Sequence, residues 1–243
     1  RKDFPGRRIK LLTNGRMFRY EDFARRALAI GLTPFEIAVP MFGYDAKTHE
    51  GTSRARGSFD DAVAGLDNLF KHRRPGQRIE CRIILTKPQM RSFGGLIRFL
   101  LERFPPFDTL DMLFVELEGF AGKYARQLFM PMRQCAESIA AEAETLSRFK
   151  QWRMLHFALC AVPERLWPHV WNTLDPVKVA WAPGCSRCAV RQDCVGITKG
   201  YAEAVGTAEF VPLDRAPGVP RSGDRYHPFL EAPAAGVSAP PSL

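Results

Sequence analysis

Three of the six cysteines lie within ten residues of one another. They are Cys185, Cys188 and Cys194, and their spacing is C-x2-C-x5-C. In a cytosolic protein, thiols grouped so closely are more typical of metal ligands than of disulfides. A closed zinc or four-iron site needs four protein ligands, so we expect a fourth ligand from elsewhere in the chain.

Cys160 is the candidate for the fourth ligand. It follows an apolar run at residues 154–159 that predicts a strand, and the ends of parallel strands are where an α/β sheet presents its ligands. The alternative interpretation of Cys160 is a small buried core residue, and we interpret Cys81 and Cys135 in that way. Spacing alone does not distinguish an iron–sulfur cluster from zinc.

Strands and helices alternate along the part of the chain that must position these residues. Runs rich in Val, Ile, Leu and Phe predict strands at residues 9–13, 35–40, 79–86, 110–118 and 154–159. Apolar residues at helical spacing predict helices at residues 20–30, from Ser58 as N-cap, at 90–104 and at 135–149. This alternation predicts an α/β fold with a parallel sheet and right-handed crossovers.

Polar residues follow several of the predicted strands. Asn14 comes directly after the first strand, where the sheet would present it at its carboxyl edge. In the fourth strand, a period of two places Glu116 and Glu118 on one face. If that face is buried, the pair needs cations or hydrogen-bond donors, which favours contact with a ligand; if it meets solvent, no function follows. His49, in a polar loop, is interpreted as a histidine that makes a backbone hydrogen bond.

Composition limits the class of protein. With 46% hydrophobic residues, a chain of 243 residues can bury a sizeable core. No run approaches the roughly eighteen apolar residues of a membrane span, and nothing near Arg1 resembles a cleavable signal, so we predict a cytoplasmic protein without a membrane partner. Because the chain begins at Arg1 and reaches a strand by Ile9, we expect the start of the protein to lie upstream. Residues 214–243 are rich in Pro, Ala, Gly and Ser and predict a disordered tail.

The net charge of +9 favours an acidic partner such as nucleic acid or an anionic cofactor. However, the arginines are scattered and are not interleaved with aromatic residues as in single-strand binders. RNA is therefore a weaker prediction than a solvated basic surface.

Several segments together resemble the second half of the core of radical S-adenosylmethionine (radical-SAM) enzymes. They are LLTNG at residues 11–15, GYDAKTHE at 43–50 and GSFD at 57–60. The segment from Cys185 to Tyr201 is similar to the auxiliary-cluster extensions of radical-SAM maturases. Shorter matches, LEGFA at 117–121, LCAVP at 159–163 and LWP at 166–168, are similar to the radical-SAM maturase of the His-Xaa-Ser peptide-modification system.

The resemblance implies a partial parallel (β/α) barrel at residues 1–150 and a cysteine-rich, metal-binding extension at 151–213. The extension would bind an auxiliary 4Fe-4S cluster, for which Cys160, Cys185, Cys188 and Cys194 are the candidate ligands. S-adenosylmethionine and a second 4Fe-4S cluster would be bound with an upstream segment that carries the family's C-x3-C-x2-C motif, which none of the six cysteines here forms. A peptide or small protein would be the substrate, and a reductase the electron donor.

The same resemblance places Asn14, Thr86 and Glu118 around the cofactor and substrate cavity. Two positions depart from the family's pattern: Thr198 stands where some relatives have a further cysteine, and Pro40 where many have a cofactor-binding serine. Catalytic residues are not identified. Two alternatives remain: a non-catalytic zinc-binding α/β module that engages RNA or a protein partner, and an intact enzyme that modifies RNA.

Overall fold

A six-stranded parallel sheet, with its strands in sequence order, forms the centre of the fold. The structure is a computed structural model, and it describes residues 6–31 and 33–231. The strands are β1 (Ile9–Leu12), β2 (Phe35–Pro40), β3 (Gln77–Leu85), β4 (Thr109–Phe114), β5 (Trp152–Leu155) and β6 (Val170–Trp171). The predicted α/β class and its parallel sheet are confirmed.

Helices connect the strands and continue into the C-terminal part. They are α1 (Glu21–Ile30), α2 (Ala46–Ser53), α3 (Ser58–His72), α4 (Lys87–Met90), α5 (Phe93–Arg103), α6 (Gly119–Lys123), α7 (Ala125–Leu128), α8 (Met132–Ala141), α9 (Ala143–Leu146) and α10 (Lys199–Val205). Short 3-10 turns follow β1, β5 and β6. An antiparallel pair of strands, β7 (Val179–Ala180) and β8 (Ile197–Thr198), lies between β6 and α10 in the sequence. None of the described helices combines the length and the apolar character needed to cross a membrane.

The hydrophobic core lies on one face of the sheet. Because side chains alternate along a strand, every second residue of β2, β3 and β4 points to this face. These residues are at most 2% exposed: Ile37, Val39, Ile79, Cys81, Ile83, Leu85, Leu110, Met112 and Phe114. Buried residues of α1, α3, α5 and α8, such as Leu28, Leu66, Leu96 and Ile139, belong to the same hydrophobic cluster.

Two strands end earlier than the sequence predicts. β4 ends at Phe114 instead of residue 118, because Glu116 and Glu118 turn to a lysine beyond the sheet edge. β5 ends at Leu155 instead of residue 159, since His156 adopts a left-handed backbone with φ 68° that an extended strand does not allow.

Smaller differences concern helix limits. The predicted helix at residues 135–149 is two helices, α8 and α9, that meet at Glu142. Ser58 is the first residue of α3 and not its cap; Gly57, with φ 75°, occupies the cap position. The two-residue strand β6 is too short to give a periodic signal.

The structure differs from the predicted disordered tail over residues 214–231. Phe229 is fully buried, and its ring lies 5.1 Å from the ring of Trp167. Arg221 pairs with Phe229 in a backbone bridge, and His227 stacks on Trp171 at 4.3 Å. One buried ring and one stacked imidazole attach this segment, although its composition lacks periodic apolar residues. Residues 232–243 lie outside the described part of the chain.

Candidate metal centre and neighbouring polar sites

The four cysteines predicted as metal ligands line one small cavity of about 20 Å³. Cys160 lies in a 3-10 turn, Leu159–Ala161, a few residues beyond β5. Cys185 lies in a second turn, Pro183–Arg187, and Cys188 follows it. Cys194 lies just before β8. The turn beyond β5 thus brings Cys160 to the cysteine triplet, although Cys160 and Cys185 are 25 positions apart in the chain.

Backbone amides point at two of these sulfurs. The Gly196 N–H donates to Cys194 Sγ at 3.4 Å, and the Leu213 N–H donates to Cys188 Sγ at 3.4 Å. Gly196 makes this turn possible with φ 83°, and a Cβ there would lie 2.6 Å from Cγ1 of Val179 in β7. Amide hydrogen bonds to sulfur stabilise thiolates and set the potential of iron–sulfur clusters.

The thiols oppose one another's ionisation. Burial, reinforced by Cys194, Cys185 and Cys188, raises the pKa of Cys160 to about 12. Burial also raises the pKa of Cys194, against the hydrogen bonds from the Leu159 and Gly196 amides. Thiolates gathered in this way require a cation, and a bound metal ion or cluster provides one.

Apolar residues form most of the remaining wall of the cavity, which Arg191 also lines. They include Ala158, Trp181, Val190, Ile197 and Phe210. In donor type, and in the amide hydrogen bonds to Cys188 and Cys194, the lining is of the kind that a tetrathiolate zinc or 4Fe-4S site uses. The side chains line the cavity without being closed around one ion: among residues 6–31 and 33–231, no group of three or more His, Cys, Asp or Glu side chains has the geometry that holds a metal ion.

The other two cysteines are core residues. Cys81 is 0% exposed and Cys135 is 1% exposed, and burial raises the pKa of both thiols. Their interpretation as core residues is confirmed.

The second face of the sheet carries a network of charged side chains that the sequence analysis did not predict. Glu80 in β3 and Asp111 in β4 are at most 1% exposed. Arg153 Nε lies 2.6 Å from Asp111 Oδ1, and Arg82 Nε lies 2.5 Å from Glu80 Oε1. Lys10 in β1 also donates to Glu80. We call Lys10, Glu36, Glu80, Arg82, Asp111 and Arg153 the ionic face.

The two buried carboxylates respond to this environment in opposite directions. Burial opposes ionisation of Glu80, but Lys10 and Arg82 outweigh it and lower the pKa of Glu80. Burial raises the pKa of Asp111 to about 6, assisted by the Glu80 charge and opposed by Arg153. Such divergent values within one network are a feature of functional sites as well as of structural ion pairs.

Glu116 and Glu118 meet a shared cation at the carboxyl edge. Lys178 Nζ lies 2.6 Å from Glu116 Oε2 and 3.4 Å from Glu118 Oε2. His156 Nδ1 lies 3.4 Å from Glu116 Oε1 without forming a hydrogen bond, and burial lowers the pKa of this histidine. The two carboxylates thus share one partner, but strand alternation is not the reason, since β4 ends at Phe114.

The three residues placed around the cofactor cavity lie beyond strand ends but do not contact one another. Asn14 Oδ1 accepts from the Arg16 N–H, and Thr86 Oγ1 caps α4 by accepting from the Gln89 N–H. Glu118 contacts Lys178. Within the described residues, no hydrogen bond or ion pair joins any two of Asn14, Thr86 and Glu118.

His49 lies in α2 and is only 3% exposed. Its Nδ1 accepts the backbone N–H of Phe42 at 3.3 Å, which confirms the predicted backbone hydrogen bond. The ring packs against Phe42 and Phe59.

A larger cavity, of about 570 Å³, opens where β5 begins, at the edge of the sheet opposite the cysteines. Its lining includes Trp152, stacked on His169 at 3.5 Å, and Trp171, stacked on His227. No residue lines both this cavity and the cysteine cavity.

Comparison with models of known protein families finds no matching family, and no curated protein matches the chain. Function is therefore inferred from the residues and their geometry.

Proposed function

We propose that this chain is the C-terminal part of a cytoplasmic radical-SAM enzyme that modifies a peptide or small protein. Cys160, Cys185, Cys188 and Cys194 would hold an auxiliary 4Fe-4S cluster. One observation carries the proposal: the four thiols line a single cavity although they come from two separate segments.

The auxiliary cluster, when bound, would supply an electron acceptor or donor close to the substrate. The residues of the chain have distinct roles around it. The amides of Gly196 and Leu213 stabilise thiolate charge by donating to Cys194 and Cys188. The apolar part of the wall would limit the access of water to a bound cluster.

The sheet supports the proposal of a partial (β/α) barrel. β1 is an edge strand, and its apolar residues Ile9, Leu11 and Leu12 are 39%, 39% and 57% exposed. An exposed apolar edge is typical of a strand with a further neighbour. In the proposal, upstream strands occupy this position and bring the C-x3-C-x2-C cluster motif. S-adenosylmethionine would lie near Asn14, Thr86 and Glu118, at the carboxyl ends of the strands.

Anaerobic purification followed by metal analysis tests the auxiliary site. We expect a brown protein with about four irons per chain. Cys188→Ala should lose most of this iron, whereas the matched control Cys135→Ala, which removes a buried core sulfur, should keep it. A colourless protein with one zinc would favour the non-catalytic zinc-binding module. A protein without metal would contradict both the iron–sulfur hypothesis and the zinc hypothesis.

The coding sequence upstream of Arg1 tests the catalytic part. We expect three cysteines spaced C-x3-C-x2-C in the same reading frame. An upstream sequence without this motif would remove the radical-SAM assignment, even if iron is found at the four cysteines.

A further inference from the structure

A second cavity, of about 210 Å³, adjoins the cysteine cavity. Cys160 lines both cavities and forms part of the wall between them. The second cavity also contains two arginines, Arg133 and Arg215, and one glutamate, Glu164. A small molecule in it would therefore sit directly behind a candidate cluster ligand.

Arg133 is the uncompensated charge of this cavity. Its Nη2 donates to the backbone carbonyl oxygen of Cys160 at 3.0 Å. In the part of the chain that the structure describes, the Arg133 guanidinium forms no ion pair; the Glu209 carboxylate accepts from the backbone N–H of Arg133 at 3.2 Å and does not reach its side chain. Its fork has further N–H groups, which are suited to a planar anion.

Arg215 and Glu164 neutralise each other. Arg215 Nη2 lies 2.7 Å from Glu164 Oε2, and the Gly218 N–H donates to the other oxygen of Glu164. Two guanidinium groups and one carboxylate leave the cavity with one net positive charge. Leu159, Val162 and Trp167 add apolar surface to the lining.

From this charge and lining we propose that the cavity binds a carboxylate group of a peptide, with Arg133 as its ion partner. One net positive charge matches one carboxylate, and the guanidinium fork matches its two oxygens. The apolar wall would contact the aliphatic part of the same residue. This inference rests on the proposed function only in naming a peptide as the source of the carboxylate.

Binding of short peptides to the purified, metal-loaded chain tests the site by calorimetry. The probes are N-acetyl-alanyl-alanine, its C-terminal amide, N-acetyl-glutamyl-alanine amide and inorganic phosphate. We expect the free acid or the glutamyl peptide to bind, and the alanyl amide to bind at least tenfold more weakly. Tighter binding of the free acid identifies a peptide C-terminus as the source of the carboxylate, and tighter binding of the glutamyl peptide identifies an acidic side chain.

Variants locate the binding. Arg133→Gln keeps a donor for the Cys160 carbonyl but removes the charge, and it should weaken carboxylate binding at least tenfold. Arg133→Lys should have an intermediate effect because it keeps the charge without the fork. Arg126→Gln, an exposed arginine on α7, is the matched control and should change nothing.

Several results would overturn the inference: binding of the alanyl amide as tight as that of both carboxylate peptides, tighter binding of phosphate than of either carboxylate, or unchanged affinity in Arg133→Gln. Metal analysis is independent of these measurements. If a chain without iron binds the carboxylate peptides, the carboxylate site is supported and the proposed function is wrong. If a chain with iron does not bind them, the auxiliary cluster is supported and the carboxylate site is wrong.

Discussion

Arg153 holds Asp111 through two parallel hydrogen bonds, from Nε to Oδ1 at 2.6 Å and from Nη2 to Oδ2 at 2.8 Å. The two residues are aligned partners in β5 and β4, and Asp111 is 1% exposed. The pair therefore joins neighbouring strands on the ionic face.

Arg153→Met should destabilise the fold. It leaves the buried Asp111 carboxylate without its main partner, and breaking a buried ion pair costs about 3 kcal/mol or more. Urea unfolding measures the loss. Arg148→Met, at an exposed arginine just before the same strand, is the control and should change stability by less than about 0.5 kcal/mol. Equal effects of the two changes would show that the pair contributes no more than a surface arginine.

The stability of the fold should depend on pH through Asp111. Its folded-state pKa, about 6, is above the ordinary value of 3.8. As pH rises, the Asp111 carboxyl therefore loses its proton at a lower pH in the unfolded chain than in the folded protein. The stability that the protonated carboxyl contributes is fully present below pH 3.8 and is lost as pH rises to about 6. Glu80 has the opposite effect at lower pH. Because its pKa is lowered in the folded protein, the stability contributed by its ionised carboxylate is lost as pH falls.

Comparison with Asp111→Asn isolates the first effect, since asparagine does not titrate. Relative to this variant, the free energy of unfolding of the unmodified protein should fall as pH rises through about 6. A difference that stays constant with pH, or that grows, would contradict the raised pKa.

Two glycine-to-alanine changes should have opposite effects. A Cβ on Gly65 in α3 would lie 2.4 Å from the backbone oxygen of Gly15, so the loop that carries Asn14 would have to move. We expect a cost of about 1–3 kcal/mol. A Cβ on Gly51 in α2 meets nothing within 4 Å, and this helical site should gain about 0.5–1 kcal/mol. Thermal unfolding of both variants measures the contrast, and a stabilised Gly65→Ala would show that the loop is free to shift.

The backbone of His156 should discriminate between substitutions. Its φ of 68° is left-handed, a region that asparagine enters more readily than β-branched residues. His156→Val should therefore be less stable than His156→Asn by about 1–2 kcal/mol. Both variants lose the imidazole near Glu116, and burial favours the apolar valine over asparagine, so a lower urea midpoint for His156→Val reports the backbone conformation. Similar midpoints would indicate that the turn rearranges.

The sequence predicted the sheet because each of its first five strands is a clear apolar run. The ends of the strands were harder to predict from the sequence. The alternation through Glu116 and Glu118 continues past the true end of β4, where both residues pair with Lys178, a partner distant in the sequence. Likewise, nothing local indicates that His156 takes a left-handed conformation.

The candidate site was predicted in part. The cysteine spacing and the strand-end position of Cys160 together anticipated a shared cavity. The ionic face was missed, although charges alternate at Arg78, Glu80 and Arg82 along β3, because its other partners come from distant strands. Lys10 and Glu80, for example, are 70 residues apart in the chain.

The open side of β1 has a practical consequence for the chain when it is purified by itself. Among residues 6–31 and 33–231, β1 has a strand partner on one side only, so the backbone groups of its other side, beside exposed leucine side chains, form a template that a second copy can pair with. At high concentration the chain would then self-associate edge to edge, with β1 of one copy against β1 of another.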